Sequence, residues 1–376
     1  MEYVQEGIAT LHDFGDVRVD TPTGDAAVVV PMTEREHAGL AAERVLSALE
    51  TVSPERVVVP LRASEARVGP IVEWLAEFDL PLEVLWCDGS RLSSLLSTAG
   101  LNGTRGKGRD VWLALGIAAT SDYVVVHDAD AKSYDERHVP KLLFPLAHGK
   151  AFSKGYYARV ENDRLYGRLF RLSYRPLIEA LSRNDDAAVL DFLGAFRYAL
   201  AGEFAATGRV ARRIRIQRSW GLEVGTLGEA FRLVGAEGAA QVDLGVHEHD
   251  HRSVSGPSGL SEMSREVTAA VLRAVEENGG EPTYETLPDR YRRAAERLVD
   301  AYALDSAFNG LEYDEAGERE QIDMYADAIE PPGPDTRLPA WENASIDPGA
   351  VVDAAVADLE EATGPRAVGV DPERSA

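Results

Sequence analysis

The chain has 376 residues, of which 63 are Asp or Glu and 39 are Lys or Arg, so its formal net charge is -24. Because binding to nucleic-acid phosphates needs clustered Lys and Arg, this acidity argues against nucleic acid as a partner. The single cysteine, Cys87, excludes an internal disulfide and a zinc site built from several cysteines.

The acidic residues are spread along the whole length, and lysine occurs five times. A net charge far from zero makes a folded chain repel itself, and high salt screens that repulsion because the Debye length falls to roughly 3 Å at 1 M. We therefore expect a halophilic protein, with an ordinary acidic enzyme as the alternative. The chain lacks both an apolar run long enough to span a membrane and a secretory signal pattern, so we expect a cytoplasmic protein without a membrane span.

Short apolar runs alternate with helical patterns in the first third of the chain. Strands are predicted at 26–30, 56–61, 82–86 and 123–127, and helices at 36–49, 63–78 and 108–119. This alternation indicates crossover units and a parallel sheet, which is an α/β fold. The continuous valine-rich runs are typical of strands covered on both faces.

The second half is more mixed. It contains predicted strands at 150–160 and 239–244, helices at 165–181, 221–233, 264–276, 288–302, 318–329 and 348–362, and a proline-rich linker at 331–339. We expect a nucleotide-binding catalytic domain at about 20–260. A helical C-terminal region would follow at 261–376 and end in an acidic, partly mobile tail.

Asp128 and Asp130 directly follow the predicted strand 123–127. Parallel sheets place their ligands at the carboxyl ends of the strands. Two carboxylates there can share one hard cation, and Mg²⁺ or Mn²⁺ prefers oxygen ligands while leaving positions for substrate phosphates. A solvated loop or a helix cap is the alternative interpretation of this spacing.

Lys107 stands between two glycines, Gly106 and Gly108, at the start of a predicted helix. Glycines let the backbone approach a phosphate, and a helix N-terminus presents free N–H groups. The segment does not have the spacing of the nucleotide-triphosphatase phosphate loop. It indicates either a phosphate contact or a flexible loop.

Histidines 247, 249 and 251 alternate after the predicted strand 239–244. One of them completing the aspartate cation site is the simplest interpretation, and a three-histidine zinc site or a structural cluster are the alternatives. Glu223 starts the predicted helix 221–233, where it would either carry chemistry or only interact with the helix dipole. The arginines at 168, 171 and 175 can grip an anion in a bidentate way or form salt bridges on a helix face.

Together and in this order, these segments resemble the glucosyl-3-phosphoglycerate synthases, which are retaining glycosyltransferases of the GT-A fold that act as homodimers. The resemblance runs from about residue 26 to 274 and is strongest at 221–249. It implies a Rossmann-like, mostly parallel sheet, a UDP-glucose or GDP-sugar donor, Mg²⁺ or Mn²⁺, and a small anionic acceptor such as 3-phosphoglycerate. Together with the acidic net charge, the resemblance favours a halophilic archaeon as the source of the protein.

The resemblance also implies roles for residues. On the donor side it places Pro31, an acidic residue (Glu34 or Glu36), Ser90 and Lys107 at the nucleotide, with Asp128 beside the reaction centre and Asp130 and His249 as metal ligands. On the acceptor side it places Glu223 near the sugar and acceptor, and Gly167, Arg168 and Leu169 at the acceptor anion.

This chain departs from the family pattern on the acceptor side. Phe170 stands where the family carries threonine, His247 where it has arginine, and His251 where it usually has asparagine. A mannosyl- or other sugar transferase with a different acceptor is therefore one alternative. A nucleotidyltransferase is disfavoured because no glycine cluster follows the first strand, and a catalytically silent binding protein on the same fold is the last alternative.

Overall fold

The structure is a computed structural model that describes residues 4–15, 17–248 and 257–364. Its strands are β1 (Ala9–Leu11), β2 (Ala26–Val29), β3 (Met32–Thr33), β4 (Arg56–Arg62), β5 (Leu82–Trp86), β6 (Tyr123–Val126), β7 (Phe152–Ala158), β8 (Val160–Glu161), β9 (Arg164–Leu165), β10 (Phe204–Thr207) and β11 (Ala239–Val246). Its α-helices are α1 (Leu40–Val52), α2 (Glu65–Leu75), α3 (Ser90–Thr98), α4 (Lys107–Ala118), α5 (His138–Ala147), α6 (Arg175–Ser182), α7 (Ala188–Ala195), α8 (Gly208–Ala211), α9 (Leu222–Val234), α10 (Pro257–Glu277), α11 (Leu287–Asn309), α12 (Glu315–Ala326) and α13 (Pro348–Thr363).

Within the described residues, nine strands form one sheet in the order β1-β11-β7-β10-β6-β2-β4-β3, and β5 pairs with the other side of β4. Strand β10 runs antiparallel to both β6 and β7, while the remaining pairs are parallel. The short strands β8 and β9 form a separate hairpin. The predicted α/β fold with a mostly parallel sheet is confirmed.

The valine-rich runs form central strands of the sheet. These strands are buried because helices cover both faces of the sheet. Residues 26–30, 57–59 and 124–126 have no exposed surface. Parallel pairing of β2 with β4 and with β6 brings the carboxyl ends of these strands to one edge. The first residues after β2 and β6 therefore lie side by side, which is where the sequence predicts a ligand site.

The predicted helix 165–181 begins later than its periodicity suggests. Gly167 adopts a left-handed backbone with φ of +78°, which separates β9 from the helical residues that follow. Those residues start as a π-helix over Leu169–Tyr174 and continue as α6. Helices α3, α5 and α7 and strand β10 were not predicted. Pro145 interrupts the pattern of α5, and β10 is a four-residue strand, too short for a clear period.

The helical C-terminal region is confirmed, and it packs on the rest of the chain. Helix α10 lies on α9, α11 lies on α6, and α13 lies on α2 and α3. The carboxylate of Asp358 in α13 accepts bonds from the N–H groups of Arg91 and Leu92 at the start of α3. The division at residue 260 stays a prediction, and residues 365–376 of the predicted tail lie outside the described residues.

The segment 331–339, predicted as a linker, is instead bound along its length. Leu338 exchanges backbone hydrogen bonds with Ile216, and the ring of Trp341 stacks on Trp112 with centroids 4.1 Å apart. The guanidinium of Arg337 pairs with Glu277 at 2.5 Å. The proline-rich composition therefore marks an extended segment that packs on the rest of the chain.

No helix among the described residues has the length and apolar character needed to cross a lipid bilayer.

Candidate active site

A cleft of about 530 Å³ opens at the carboxyl ends of β2 and β6. Six of the candidate ligand-binding residues line it: Pro31, Glu36, Lys107, Asp128, Asp130 and Glu223. They come from four separate segments, and the parallel sheet brings these segments to one edge. The structure therefore assembles the core of the site that the sequence predicted, although the individual roles stay predictions.

Lys107 bridges two carboxylates in this cleft. Its ammonium lies 2.5 Å from Oδ1 of Asp128 and 3.4 Å from Oε1 of Glu223. Burial alone would lower the pKa of Lys107, but the two carboxylates outweigh burial and raise that pKa above its ordinary value. Lys107 is therefore a fixed positive charge that links the end of β6 to the start of α9.

The glycines beside Lys107 are required by a neighbouring segment of the chain. A Cβ at Gly108 would lie 1.7 Å from the carbonyl oxygen of Gln217, and one at Gly106 would lie 2.8 Å from the carbonyl oxygen of Arg218. The N–H of Arg109 donates to that same Arg218 carbonyl. The Gly-Lys-Gly pattern thus lets α4 pack against residues 217–219, which also brings the following Glu223 toward Lys107.

Asp128 and Asp130 both line the cleft and would supply the oxygen ligands of the predicted cation site. Among the described residues, no cluster of three or more His, Cys, Asp or Glu side chains has metal-binding geometry. Mg²⁺ commonly uses only one or two protein carboxylates and completes its octahedral shell with water and substrate phosphates. The two aspartates therefore fit Mg²⁺ or Mn²⁺. His249, the other predicted ligand, lies outside the part of the chain that the structure describes.

Glu223 owes its place to the geometry of the turn before α9. Gly221 caps this helix with a left-handed φ of +83°, and Glu223 follows in the first turn. A Cβ at Gly221 would lie 2.9 Å from the Cβ of Ala270, so α10 packs directly on this turn. The C-terminal region thereby fixes the direction in which α9 presents its carboxylate to the cleft.

Two predicted nucleotide contacts do not line the cleft. The carboxylate of Glu34 accepts hydrogen bonds from the N–H and hydroxyl of Ser64, at 3.2 Å and 2.9 Å, just before α2. The hydroxyl of Ser90 donates to Asp358 of α13 at 3.4 Å. Glu36 does line the cleft and accepts from the N–H of Thr33 at 2.6 Å. Of the two acidic residues left open by the sequence, the structure brings Glu36 to the site.

The predicted acceptor residues form a turn between β9 and the π-helix, outside the lining of the cleft. We call residues 167–169 the acceptor turn. Its first residue, Gly167, has the left-handed backbone noted above, and Leu169 is half-buried. The side chain of Arg168 is 40% exposed, which leaves it accessible to a ligand. The neighbouring Arg171 forms a buried ion pair with Glu318 and is not accessible in the same way.

Phe170 packs into the core. Its ring is 8% exposed and contacts the rings of Tyr174 and Tyr198, with centroids 5.5 Å and 5.1 Å away. Phe170, at the position where the resemblance leads us to expect threonine, therefore fills space beneath the acceptor turn and presents no polar group to a ligand.

His247 is also buried. Its ring stacks on Tyr157 with centroids 4.0 Å apart, and its Nε2 lies 3.9 Å from Oε1 of Glu203. This environment favours a structural role for His247. His249 and His251 fall in the undescribed stretch 249–256, so the three-histidine interpretation stays a prediction.

Sequence reasoning missed the layer beneath Asp128. A Cβ at Gly202 would lie 2.5 Å from Oδ2 of Asp128, so a larger residue at this position would displace that carboxylate. Lys154 is fully buried and donates a hydrogen bond to the carbonyl of Ala201. Burial lowers the pKa of Lys154 to about 8, although nearby Glu223 and other carboxylates oppose that shift. The rarity of lysine in this chain was the available signal, since Lys154 is one of five.

Comparison with known proteins gives a consistent result. No protein-family model matches the chain. It is 33% identical over 398 residues to the glucosyl-3-phosphoglycerate synthase of Methanococcoides burtonii, covering 96% of each chain. It is 35% identical over 321 residues to the synthase of the same name from Persephonella marina, covering 80% of this chain and 79% of the relative.

Solved structures of the glucosyl-3-phosphoglycerate synthase of Mycobacterium tuberculosis share the fold. One, in complex with Mn²⁺, UDP and phosphoglyceric acid, superposes with a TM-score of 0.54 at 25% identity, covering 73% of this chain and 88% of that chain. Another, with Mg²⁺ and UDP, gives a TM-score of 0.53 at the same identity and the same coverage. The sheet order and these matches confirm the GT-A fold. The chain belongs to the glucosyl-3-phosphoglycerate synthase family and is a glycosyltransferase.

Proposed function

We propose that this protein transfers glucose from UDP-glucose to 3-phosphoglycerate, with retention of configuration and with Mg²⁺ or Mn²⁺ as cofactor. The observation that carries the proposal is the joint placement of Lys107, Asp128 and Glu223 in one cleft at the carboxyl ends of β2 and β6. The family membership and the ligands named for the M. tuberculosis structures support the donor, the cation and the acceptor class.

On the donor side, Pro31 and Glu36 would face the base at the end of β2. Asp130, with His249, would hold the cation, which when bound neutralises charge on the departing diphosphate. The ammonium of Lys107 would turn from Asp128 toward the phosphate oxygens as the donor enters. Because that leaving group is a good one, these residues contribute mainly positioning and electrostatic stabilisation.

On the acceptor side, Glu223 would hold the acceptor hydroxyl or the sugar near the reacting carbon. Gly167, Arg168 and Leu169 would receive the acceptor's anionic group. Asp128 would stay beside the reaction centre, oriented by the close approach of Gly202. No carboxylate in this arrangement is assigned as a nucleophile, so no covalent intermediate is part of the proposal.

The test is a transfer assay in molar KCl with Mg²⁺ or Mn²⁺. UDP-glucose, GDP-glucose and GDP-mannose are each offered with 3-phosphoglycerate, glycerate and glycerol 3-phosphate, and products are identified by mass and by NMR of the anomeric proton. We expect UDP-glucose with 3-phosphoglycerate to give the highest kcat/KM and an α-linked product. Preference for another sugar or acceptor would overturn this assignment, and binding of UDP-glucose without any transfer would support a silent binding protein.

We also infer a halophilic, archaeal, cytoplasmic protein that forms a homodimer. The net charge of -24 supports halophily, and the phosphorylated, membrane-impermeant substrates support the cytoplasm. Leu304 and Phe308, one turn apart on α11, are 74% and 88% exposed and offer an apolar surface for a second copy. Sedimentation in 2 M KCl should give a dimer, and the melting temperature should fall when KCl is removed. A monomer would refute the inferred homodimer, and a melting curve independent of salt would refute halophily.

A further inference from the structure

The C-terminal helices enclose the π-helix that follows the acceptor turn. The hydroxyl of Tyr291 in α11 donates to the carbonyl of Leu172, and the ring of Tyr302 lies 4.7 Å from the guanidinium carbon of Arg171. Helix α12 contacts the same segment. The conformation of residues 169–174 therefore depends on a part of the chain that lies more than a hundred residues away in sequence.

Glu318 of α12 is the charged centre of this contact. Its side chain is 2% exposed, and both carboxylate oxygens accept from Arg171, at 2.6 Å and 2.9 Å. The hydroxyl of Tyr313 donates to Oε2 at 2.6 Å. Since a buried carboxylate with this many donors is held in one orientation, Glu318 is a rigid anionic group beneath the acceptor turn.

The same carboxylate reaches Arg168. Oε1 of Glu318 lies 3.4 Å from Nε of Arg168, and Oδ2 of Asp314 lies 3.5 Å from its Nη2. Two of the three guanidinium nitrogens therefore face carboxylates at the start of α12, those of Asp314 and Glu318. Both contacts are long, so they orient the guanidinium without saturating it.

The chain just before the acceptor turn is anchored by the same region. The guanidinium of Arg164 in β9 pairs with Glu312, with Nε at 2.8 Å from Oε2. The N–H of Glu312 donates to the carbonyl of Asp163 at 2.8 Å. Residues 312–318 thus hold the acceptor turn from both sides, through the β8–β9 hairpin and through the π-helix.

We propose that Glu318 is a positioning residue that orients Arg168 for the acceptor's phosphate, which makes α12 a part of the acceptor site. The inference rests on the proposed function, because it takes Arg168 as the phosphate-binding group. Arg171 neutralises Glu318, so this carboxylate can lie close to an anion-binding arginine without cancelling its charge. A guanidinium held by its Nε edge loses less conformational freedom when it binds a phosphate.

The test compares Glu318→Gln with the wild type, alone and combined with Arg168→Ala. We expect Glu318→Gln to raise the KM for 3-phosphoglycerate about tenfold and to leave the KM for UDP-glucose within about twofold. With glycerate as acceptor, which lacks the phosphate, the two proteins should behave alike. In the Arg168→Ala background, Glu318→Gln should add no further change in acceptor KM, because its effect acts through that arginine.

The matched control is Glu315→Gln on the same helix, whose carboxylate pairs with Arg319 at the surface and should have no effect. If Glu318→Gln does not fold, Asp314→Asn replaces it, because asparagine can still cap α12. We expect Asp314→Asn to raise the KM for 3-phosphoglycerate about threefold. Equal losses with glycerate and 3-phosphoglycerate, or additive effects in the double variant, would overturn the positioning role.

Failure of the proposed function gives a different result. A wild-type protein that does not transfer glucose to 3-phosphoglycerate refutes that function directly. The affinity for 3-phosphoglycerate, measured by calorimetry on the same variants, then decides the positioning role without turnover. Unchanged affinity in both Glu318→Gln and Asp314→Asn would overturn it.

Discussion

In the cleft at the carboxyl ends of β2 and β6, the charged groups come from residues at or next to the ends of regular strands and helices. Asp128 follows β6, Lys107 starts α4, and Glu223 lies in the first turn of α9. In the acceptor turn, Arg168 is oriented by carboxylates of α12, about 146 residues further along the chain. The cleft thus depends on the crossover topology of the sheet, whereas the acceptor turn depends on the docking of the C-terminal region.

The two regions also differ in charge. The lining of the cleft combines five carboxylates with Lys107, Arg62 and Arg105, an arrangement that can receive a diphosphate once a cation is present. The acceptor turn carries the basic Arg168, which is balanced by the buried carboxylate of Glu318 and the exposed carboxylate of Asp314. This difference predicts that variants in the cleft abolish chemistry, while variants around the turn change acceptor binding or stability. Four substitutions test this contrast between the cleft and the acceptor turn.

The largest effect should come from Asp130→Ala. Losing an oxygen ligand for the cation should lower transfer by about 1,000-fold, because the diphosphate charge is no longer stabilised. The melting temperature should stay within a few degrees of the wild type, and Asp122→Ala, exposed before β6, is the matched control. Full activity of Asp130→Ala in a Mn²⁺-dependent assay would remove the aspartate from the site.

Phe170→Thr should affect stability more than chemistry. Replacing a buried ring by the family's threonine leaves a cavity and a buried hydroxyl, which should cost about 3 kcal/mol in the free energy of unfolding. Phe14→Thr, at a position 69% exposed, should cost less than about 0.5 kcal/mol. Urea denaturation measures both. A stable Phe170→Thr protein with a lower KM for 3-phosphoglycerate would mean that this position contacts the acceptor after all.

Lys107→Met should reduce donor use by a smaller factor. Removing the ammonium takes one positive charge from the diphosphate and leaves Asp128 and Glu223 without their shared cation. We expect kcat/KM for UDP-glucose to fall about 30-fold, equivalent to about 2 kcal/mol. The control Lys150→Met replaces a lysine at the opposite edge of the sheet, before β7. Equal activities of the two variants would contradict the role of Lys107.

Lys154→Met should stabilise the protein at pH 7 by about 1–2 kcal/mol. Burial lowers the pKa of Lys154 to about 8, so at pH 7 the buried amine is still protonated in the folded state. Burying that charge destabilises the folded protein, and methionine removes this cost. The lost hydrogen bond to Ala201 offsets part of the gain. Between pH 8 and about 10.4 the unfolded state binds more protons than the folded state, so wild-type stability rises there and the variant's advantage shrinks.

Urea denaturation at pH 7 and pH 10, with Lys150→Met as the solvent-exposed control, measures that change. An advantage of Lys154→Met that is equal at both pH values would contradict the ionised, buried lysine. Reduced transfer activity in the more stable variant would indicate that the buried charge is kept for its effect on the neighbouring carboxylates.

The amino-acid sequence alone was enough to predict the central strands, the place of Asp128 and Asp130 at the end of β6, and a helix that starts within one residue of Lys107. These features depend on local patterns, since valine-rich runs make buried strands and parallel strands deliver their carboxyl ends to one edge. The family resemblance followed from the same residues, above all from the segment 221–249.

The packing of the folded chain set which side chains meet. It brought Glu36 to the cleft and turned Glu34 toward α2, buried Phe170 under the acceptor turn, and fixed the supposed linker 331–339 onto the sheet domain. It also placed Glu318 against Arg168 and Arg171. Such contacts join residues far apart along the chain, and they depend on how helices pack, which local periodicity does not encode.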